Sequence, residues 1–135
     1  MNLGDVMDEI ADSVRTITGL RVYAYPPNKI AAPAAIVTYP DTYTFDETYG
    51  RGMDRISDLP VIVLVGKVSD RASRDNVAKY VNGSGSTSIK AAVEAGAHTA
   101  FDTVRVTGVS FDVIGIGAVE YLGATFTLDI AGQGV

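Results

Sequence analysis

The 135-residue sequence contains no cysteine and no tryptophan, and its one histidine is His98. Without cysteine there can be no disulfide and no thiolate metal site, and a single histidine excludes a histidine-rich metal centre. No apolar run approaches the roughly 18 residues that a transmembrane helix needs. The first residues carry acidic side chains where a signal peptide would carry basic ones. We therefore expect residues 1–135 to form one soluble, unprocessed domain without a metal or another cofactor.

The net charge of −5 is unevenly distributed along the chain. Residues 1–58 carry −4, residues 59–98 carry +2, and residues 99–135 carry −3. Proteins that bind a phosphate backbone usually present a basic patch or stripe, and this sequence has none. Sequence-specific binding of DNA or RNA is therefore disfavoured. The 59–98 segment is the part that we expect to face an acidic partner.

No catalytic signature is visible in the sequence. The serines lack the context of a nucleophile elbow, and the Gly/Ser stretch 83–88 lacks the Lys-Ser/Thr pair that ends a phosphate-binding loop. His98 follows a predicted helix end, where we expect a surface or capping role. The carboxylates of Asp5, Asp8, Glu9 and Asp12 spread over a solvated helix face and do not form a metal site. The sequence thus predicts a protein that is not an enzyme.

The chain is organised around the apolar, β-branched run 59–68, which predicts a central strand covered on both faces, with Pro60 tolerated near its start. An apolar stripe from Leu3 to Ile17 predicts an amphipathic helix that Asn2 caps and Gly19 ends. The other predicted elements are helices over 71–82 and 89–95 and strands over 20–25, 34–39, 42–49, 104–113 and 122–130, with a β-bulge at Gly108 and a mobile tail over 131–135. In the helix 71–82 we expect Val77, Ala78 and Val81 to face inward. In the terminal strand pair we expect Phe111, Phe126 and Leu128 to face the core. These elements predict an α+β fold with a mixed, mainly antiparallel sheet of five to six strands, flanked by two to three helices.

A protruding β-hairpin arm is predicted before the central strand. Tyr43, Phe45 and Tyr49 alternate onto one face of its first strand, and a glycine-rich tip follows at 49–55. Two interpretations of the aromatic row stay open, because the rings could form an interface or could pack under the first helix. The candidate assembly residues are Tyr43, Phe45, Tyr49, Arg51, Met53 and Arg55 of the arm, and Arg71, Arg74 and Lys79 of the second helix. We expect the arm's two arginines to become ordered on assembly, by pairing with carboxylates.

Four runs of residues carry a resemblance to a known family. They are LRVYAYPP at 20–27, YGRGMDR at 49–55, VGKVSDR at 65–71 and LDIAGQG at 128–134. These runs are similar to segments of small structural proteins encoded among the head and tail genes of phages that infect actinobacteria. Together with the order of predicted elements, the chain resembles the tail terminator proteins of long-tailed bacteriophages over nearly its whole length.

This resemblance implies a structural protein of the virion tail or neck, assembled in the host cytoplasm. It implies a hexameric ring that caps the tail tube at its final length and then accepts the head connector. Six copies at −5 each would carry −30, which suits a channel through which the genome passes without sequence-specific binding. The main alternatives are the head-to-tail stopper or connector, the tail tube protein or another neck protein. A small enzyme of unrecognised type comes after them.

Overall fold

A computed structural model describes residues 1–24, 33–45, 52–67, 71–96, 98–116 and 118–133. The described residues form an α+β fold with three helices and a six-stranded mixed sheet, as the sequence predicted. The helices are α1 (Leu3–Val14), α2 (Arg71–Val81) and α3 (Ile89–Ala95). The strands are β1 (Arg21–Tyr23), β2 (Ala34–Val37), β3 (Thr42–Thr44), β4 (Met53–Lys67), β5 (Thr103–Ile116) and β6 (Val119–Gln133).

The sheet is built on the two 15-residue strands β4 and β6, which pair along most of their length. Its strand order is β1-β2-β4-β6-β5, and among the described strands only the pair β1 and β2 is parallel. Strand β3 pairs with the first half of β4, along the same side of β4 on which β2 pairs with the second half. Strand β5 therefore forms one edge of the sheet, and β1 and β3 lie on the other side.

Strand β4 is the predicted central strand, but it is longer and only one of its faces is covered by helices. All three helices pack into a single core on that face, with α1 and α2 each in contact with α3. Pro60 and Ile62 alternate with the buried residues and stay partly exposed on the opposite face. Leu64, on the same face, is 0% exposed beside Ala34 of β2, so the prediction that both faces are covered is correct at Leu64 and wrong at Pro60 and Ile62. The side chains of β4 that enter the core are Ile56, Leu59, Val61, Val63 and Val65.

Pro60 lies in the middle of β4 and not near the strand's start. Its carbonyl accepts a hydrogen bond from the Thr38 amide at 3.1 Å, so its ring nitrogen faces the same side of the strand. On that side Pro60 lies between the stretch of β4 that pairs with β3 and the stretch that pairs with β2. The missing amide hydrogen of proline therefore costs few inter-strand hydrogen bonds. The register shift just before it, between Ile56 and Leu59, places Asp58 at a φ of +56°, a conformation that aspartate adopts more readily than most residues.

The helices begin largely where the sequence predicted. The Asn2 side chain accepts from the Asp5 amide at 3.0 Å, and the Ser88 hydroxyl accepts from the Ala91 amide at 3.1 Å. Helix α1 ends at Val14, earlier than predicted, and Gly19 at φ +83° serves the turn into β1. In α2 the buried side chains are Ser73, Val77 and Tyr80, whereas Ala78, predicted to face inward, is exposed.

The hairpin of β5 and β6 carries the predicted β-bulge. The register shifts between Val106 and Gly108, which places Val106 and Val109 together against the core. The predicted mobile tail is partly wrong, because residues 131–133 belong to β6 and pair with β4. Residues 134–135 lie outside the described part. Within the described ranges, no helix is both long and apolar enough to cross a membrane.

Candidate assembly surfaces

Tyr43 is the first of the predicted interface aromatics, and its side chain makes its contacts within the subunit. Its ring is partly buried against the core, and its hydroxyl donates to the Asp54 carboxylate, with Oδ2 at 2.8 Å. The carbonyl of Met1, beside α1, lies 3.1 Å from the same hydroxyl. Burial, the hydrogen bond to Asp54 and the charge of Asp54 raise the pKa of Tyr43 to about 12. Tyr43 thus packs within the subunit, and its contact near the first helix is with Met1, which precedes that helix.

Phe45, two residues further along, is 73% exposed. Its ring centroid lies 4.9 Å from that of Tyr43, so the two rings share the predicted face. The antiparallel pairing of β3 with β4 confirms the base of the predicted hairpin. Tyr49 and Arg51 lie outside the described residues, as does the tip of the hairpin from 46 to 51.

Met53 and Arg55 lie in β4 and not in the predicted flexible tip. The Arg55 guanidinium binds the Asp129 carboxylate of β6 with two contacts, Nε to Oδ1 at 2.9 Å and Nη2 to Oδ2 at 2.6 Å. The hydrogen bonds and charge of Arg55, with the charge of Arg105, lower the pKa of Asp129 against the opposing effect of burial. The expectation that Arg55 finds a carboxylate only on assembly is therefore wrong, because its partner lies in the same chain.

Helix α2 places the predicted cations on its outer face. Arg71, Arg74 and Lys79 are all exposed, whereas Ser73, Val77 and Tyr80 are buried. Arg74 Nη2 lies 3.5 Å from Asp75 Oδ1, a contact that is weak at a solvated surface. With Asp75 counted, the helix carries a net charge of +2.

An exposed apolar pair on β5 lies beside this helix. Phe111 is 57% exposed and Val113 is 46% exposed, although both share the strand phase of the core residue Val109. Phe111 and Val113 therefore lie on the same face of the sheet as the helices but stay exposed to solvent. The prediction that Phe111 faces the core is wrong.

The sheet register relates α2 to this apolar pair. At one end, a Cβ on Gly66 would lie 2.6 Å from the Ser73 hydroxyl, and Gly66 pairs with Leu122, which pairs with Val113. At the other end, Val81 and Val109 line the same groove. Helix α2 packs on β4 and β6, and β6 is the strand next to the segment 109–113. We name Arg71, Arg74, Lys79, Phe111 and Val113 the α2–β5 surface.

A second surface surrounds the start of α1. Asp5, Asp8 and Asp12 are exposed, and Asp12 Oδ1 pairs with Arg15 Nη1 at 2.5 Å. Tyr39, at the end of β2, is 68% exposed. A depression of about 260 Å³ lies between them and is lined by Leu3, Gly4, Met7, Asp8, Ala24 and Tyr39. We name Leu3, Asp5, Asp8, Asp12 and Tyr39 the α1 surface, which carries −2 when Arg15 is included.

The two surfaces lie on opposite flanks of the sheet. Helix α1 packs on β1 and β2, whereas the α2–β5 surface includes the far edge strand. Three strand spacings separate β2 from β5, roughly 14 Å at about 4.8 Å per step.

Sequence reasoning missed Tyr39 as a surface residue, although its position just before Pro40 marks the end of the strand. No signal in the sequence distinguishes Phe111 from the buried residues of the same phase.

Glu9 differs from the other carboxylates of α1. It accepts hydrogen bonds from the amides of Thr99 and Ala100 and from the Thr99 hydroxyl, at 2.6–3.1 Å. Burial raises its pKa, but these hydrogen bonds and the proximity of His98 lower it by more, so the pKa lies below its ordinary value of 4.5. The prediction of a wholly solvated acidic face is therefore wrong for Glu9.

His98 lies at the end of α3, as predicted for a capping residue. Its Nε2 is 3.1 Å from the Val93 carbonyl oxygen, and its ring stacks on Phe101 with centroids 4.3 Å apart. In the described part of the chain, no three His, Cys, Asp or Glu side chains converge as metal ligands would.

We expect Glu9→Gln to lower the free energy of unfolding by about 1–3 kcal/mol at pH 7, because the loop at 99–100 loses its charged acceptor. A lowered folded-state pKa contributes stability that is complete above the unfolded pKa and is lost as pH falls through the folded pKa. The difference between parent and variant should therefore shrink below about pH 4.5. Urea unfolding followed by circular dichroism at several pH values measures this. Asp8→Asn, on an exposed carboxylate of the same helix, is the control, and a pH-independent Glu9→Gln difference would contradict the assignment.

Comparison of the chain with protein-family models and with curated proteins found no match.

Proposed function

We propose that this chain is a non-enzymatic structural protein of a phage virion, of the tail-terminator type. In this proposal six copies form a ring that caps the tail tube at its final length and then offers the joining surface for the head connector. The protein would act in the tail or neck of the virion after assembly in the host cytoplasm. The observation that carries the proposal is the pair of exposed, chemically different surfaces on opposite flanks of one sheet.

A closed ring of identical subunits requires this arrangement. Each subunit must use one patch toward the neighbour on its left and a different patch toward the neighbour on its right. The α1 surface is acidic with an exposed tyrosine, whereas the α2–β5 surface is basic with an exposed phenylalanine. Exposed apolar side chains that cluster beside charged ones are typical of interaction sites.

The architecture and the charge support the same proposal. A mixed sheet with helices is what the resemblance to tail terminators implies, and the described residues have that fold class. A ring of six would carry −30, which would keep DNA from adhering to the lumen. Its partners would be further copies of this chain, the tail tube protein and the head connector or stopper.

The proposal is tested by assembly in solution and on tubes. We expect light scattering after gel filtration to give six times the monomer mass, and negative-stain images to show rings. Added to growing tail tubes, the protein should bind one end and stop elongation. A monomer that assembles only on a purified connector would instead identify a stopper. A monomer that binds neither tube nor connector would overturn the structural role, and turnover in a hydrolase screen that one polar substitution abolishes would identify an enzyme.

A further inference from the structure

We infer that the α1 surface of one subunit binds the α2–β5 surface of the next, with Asp5 and Asp8 facing Arg71 and Arg74. This inference rests on the proposed ring and names the partner of each surface, which is a second copy of this chain. It assigns the contact to two helices and an edge strand, and not to the hairpin tip that the sequence suggested.

The charges of the two surfaces are complementary. The α1 surface carries −2 with Arg15 included, and α2 carries +2 with Asp75 included. In each helix two of the charged residues are three positions apart, so they lie one turn apart on one outer face. Within the described residues, neither Asp5, Asp8 nor Arg71 forms an ion pair. Complementary charge on separate flanks favours head-to-tail contact between copies and opposes contact between two like surfaces.

Each surface also offers an apolar centre. Phe111 and Val113 stand on the far edge strand beside α2, and both are about half exposed. The α1 surface has an open depression, lined by Leu3, Met7 and Tyr39, in which an aromatic side chain can be received. A bulky anchor that enters a depression, with charged pairs around it, is the common arrangement of a specific protein interface.

A charge-swap experiment tests the pairing. Asp5→Lys with Asp8→Lys places four like charges at the contact, and so does Arg71→Glu with Arg74→Glu. Each double variant should lower ring formation at least about tenfold, because like-charge contact is strongly unfavourable. The quadruple variant restores opposite charges in reversed order and should recover rings. The control, Asp102→Lys, adds positive charge at an exposed residue outside both surfaces and outside the segment 109–113, and it should assemble like the parent.

The readouts are the mass by light scattering and the melting temperature of each variant. All variants should melt near the parent, because the substituted residues are exposed. Phe111→Ser should also weaken the ring, with no charge change. If the parent forms no ring, the proposed function fails and the inference fails with it. If the parent forms rings and the double variants do too, or if the quadruple variant does not recover them, the pairing is overturned while the ring stands.

Discussion

Phe126→Ala is expected to lower the free energy of unfolding by about 3–5 kcal/mol, and Leu128→Ala by about 2–5 kcal/mol. Phe126 is 2% exposed and Leu128 is 0% exposed, and both lie in β6, which pairs with a neighbour on each side. Neither side chain can be truncated without leaving a cavity, because strands on both sides hold the backbone in place. Urea or guanidinium unfolding, with the midpoint and slope compared with the parent, measures the loss.

The matched control for this prediction is Phe111→Ala in the paired strand. Phe111 is 57% exposed, so its truncation should cost less than about 1 kcal/mol. The three substitutions therefore separate core residues from a surface residue of the same hairpin. Equal losses at Phe111 and Phe126 would mean that the end of the hairpin is covered. Unchanged midpoints at Phe126 and Leu128 would mean that β6 presents its other face to the core.

Periodicity in the sequence was sufficient to predict most elements. The helical stripe from Leu3 to Ile17 and the alternation along β6 each identify a buried face, because the spacing of apolar residues follows the geometry of the element itself. The bulge at Gly108 was predictable for the same reason, since the apolar phase changes there and an extra residue restores it.

The periodicity of a strand does not show how far along it the helices cover the sheet face. Val109, Phe111 and Val113 share one phase, yet only Val109 packs on the core, because α2 packs on β4 and β6 and leaves the other two exposed. The same limit applies to β4. Its apolar run suggested two covered faces, whereas the helices form one layer, and on the other side Leu64 is buried but Pro60 and Ile62 stay partly exposed.

The candidate surfaces depend on pairs that are distant in sequence. Arg55 meets Asp129 across 74 positions, and Glu9 meets Thr99 across 90. A single sequence gives no signal for such pairs, so Arg55 was predicted to lie in a flexible tip and Glu9 on a solvated face. The cations of α2 were predictable, because a short helix with one apolar side fixes which residues face outward. The exposed carboxylates of α1 were predictable in the same way, but their position beside Tyr39 was not, because it depends on how α1 lies relative to β2.

Asp54→Ala is expected to lower the free energy of unfolding by about 3–5 kcal/mol, the usual cost of removing one member of a buried charged pair. Asp54 is 4% exposed, accepts from the Tyr43 hydroxyl, and lies 3.9 Å from the amino group of Met1. Without the carboxylate, the amino group keeps its hydrogen bond to the Gln133 carbonyl at 2.8 Å but loses a buried counter-charge. Thermal and denaturant unfolding at pH 7 measure the loss, and Asp112→Ala on exposed β5 is the control.

Tyr43→Phe separates the hydroxyl from the rest of this cluster. It should cost about 1–3 kcal/mol at pH 7, because Asp54 loses a hydrogen-bond donor and the ring stays in place. The folded pKa of Tyr43, raised to about 12 from 10.0, contributes stability that is complete below pH 10 and is lost as pH rises through 12. The parent should therefore lose stability relative to Tyr43→Phe between pH 10 and 12. A difference between parent and variant that stays constant over that range would mean that the Tyr43 phenol titrates alike in the folded and unfolded chain, and the contact with Asp54 would then not form in solution.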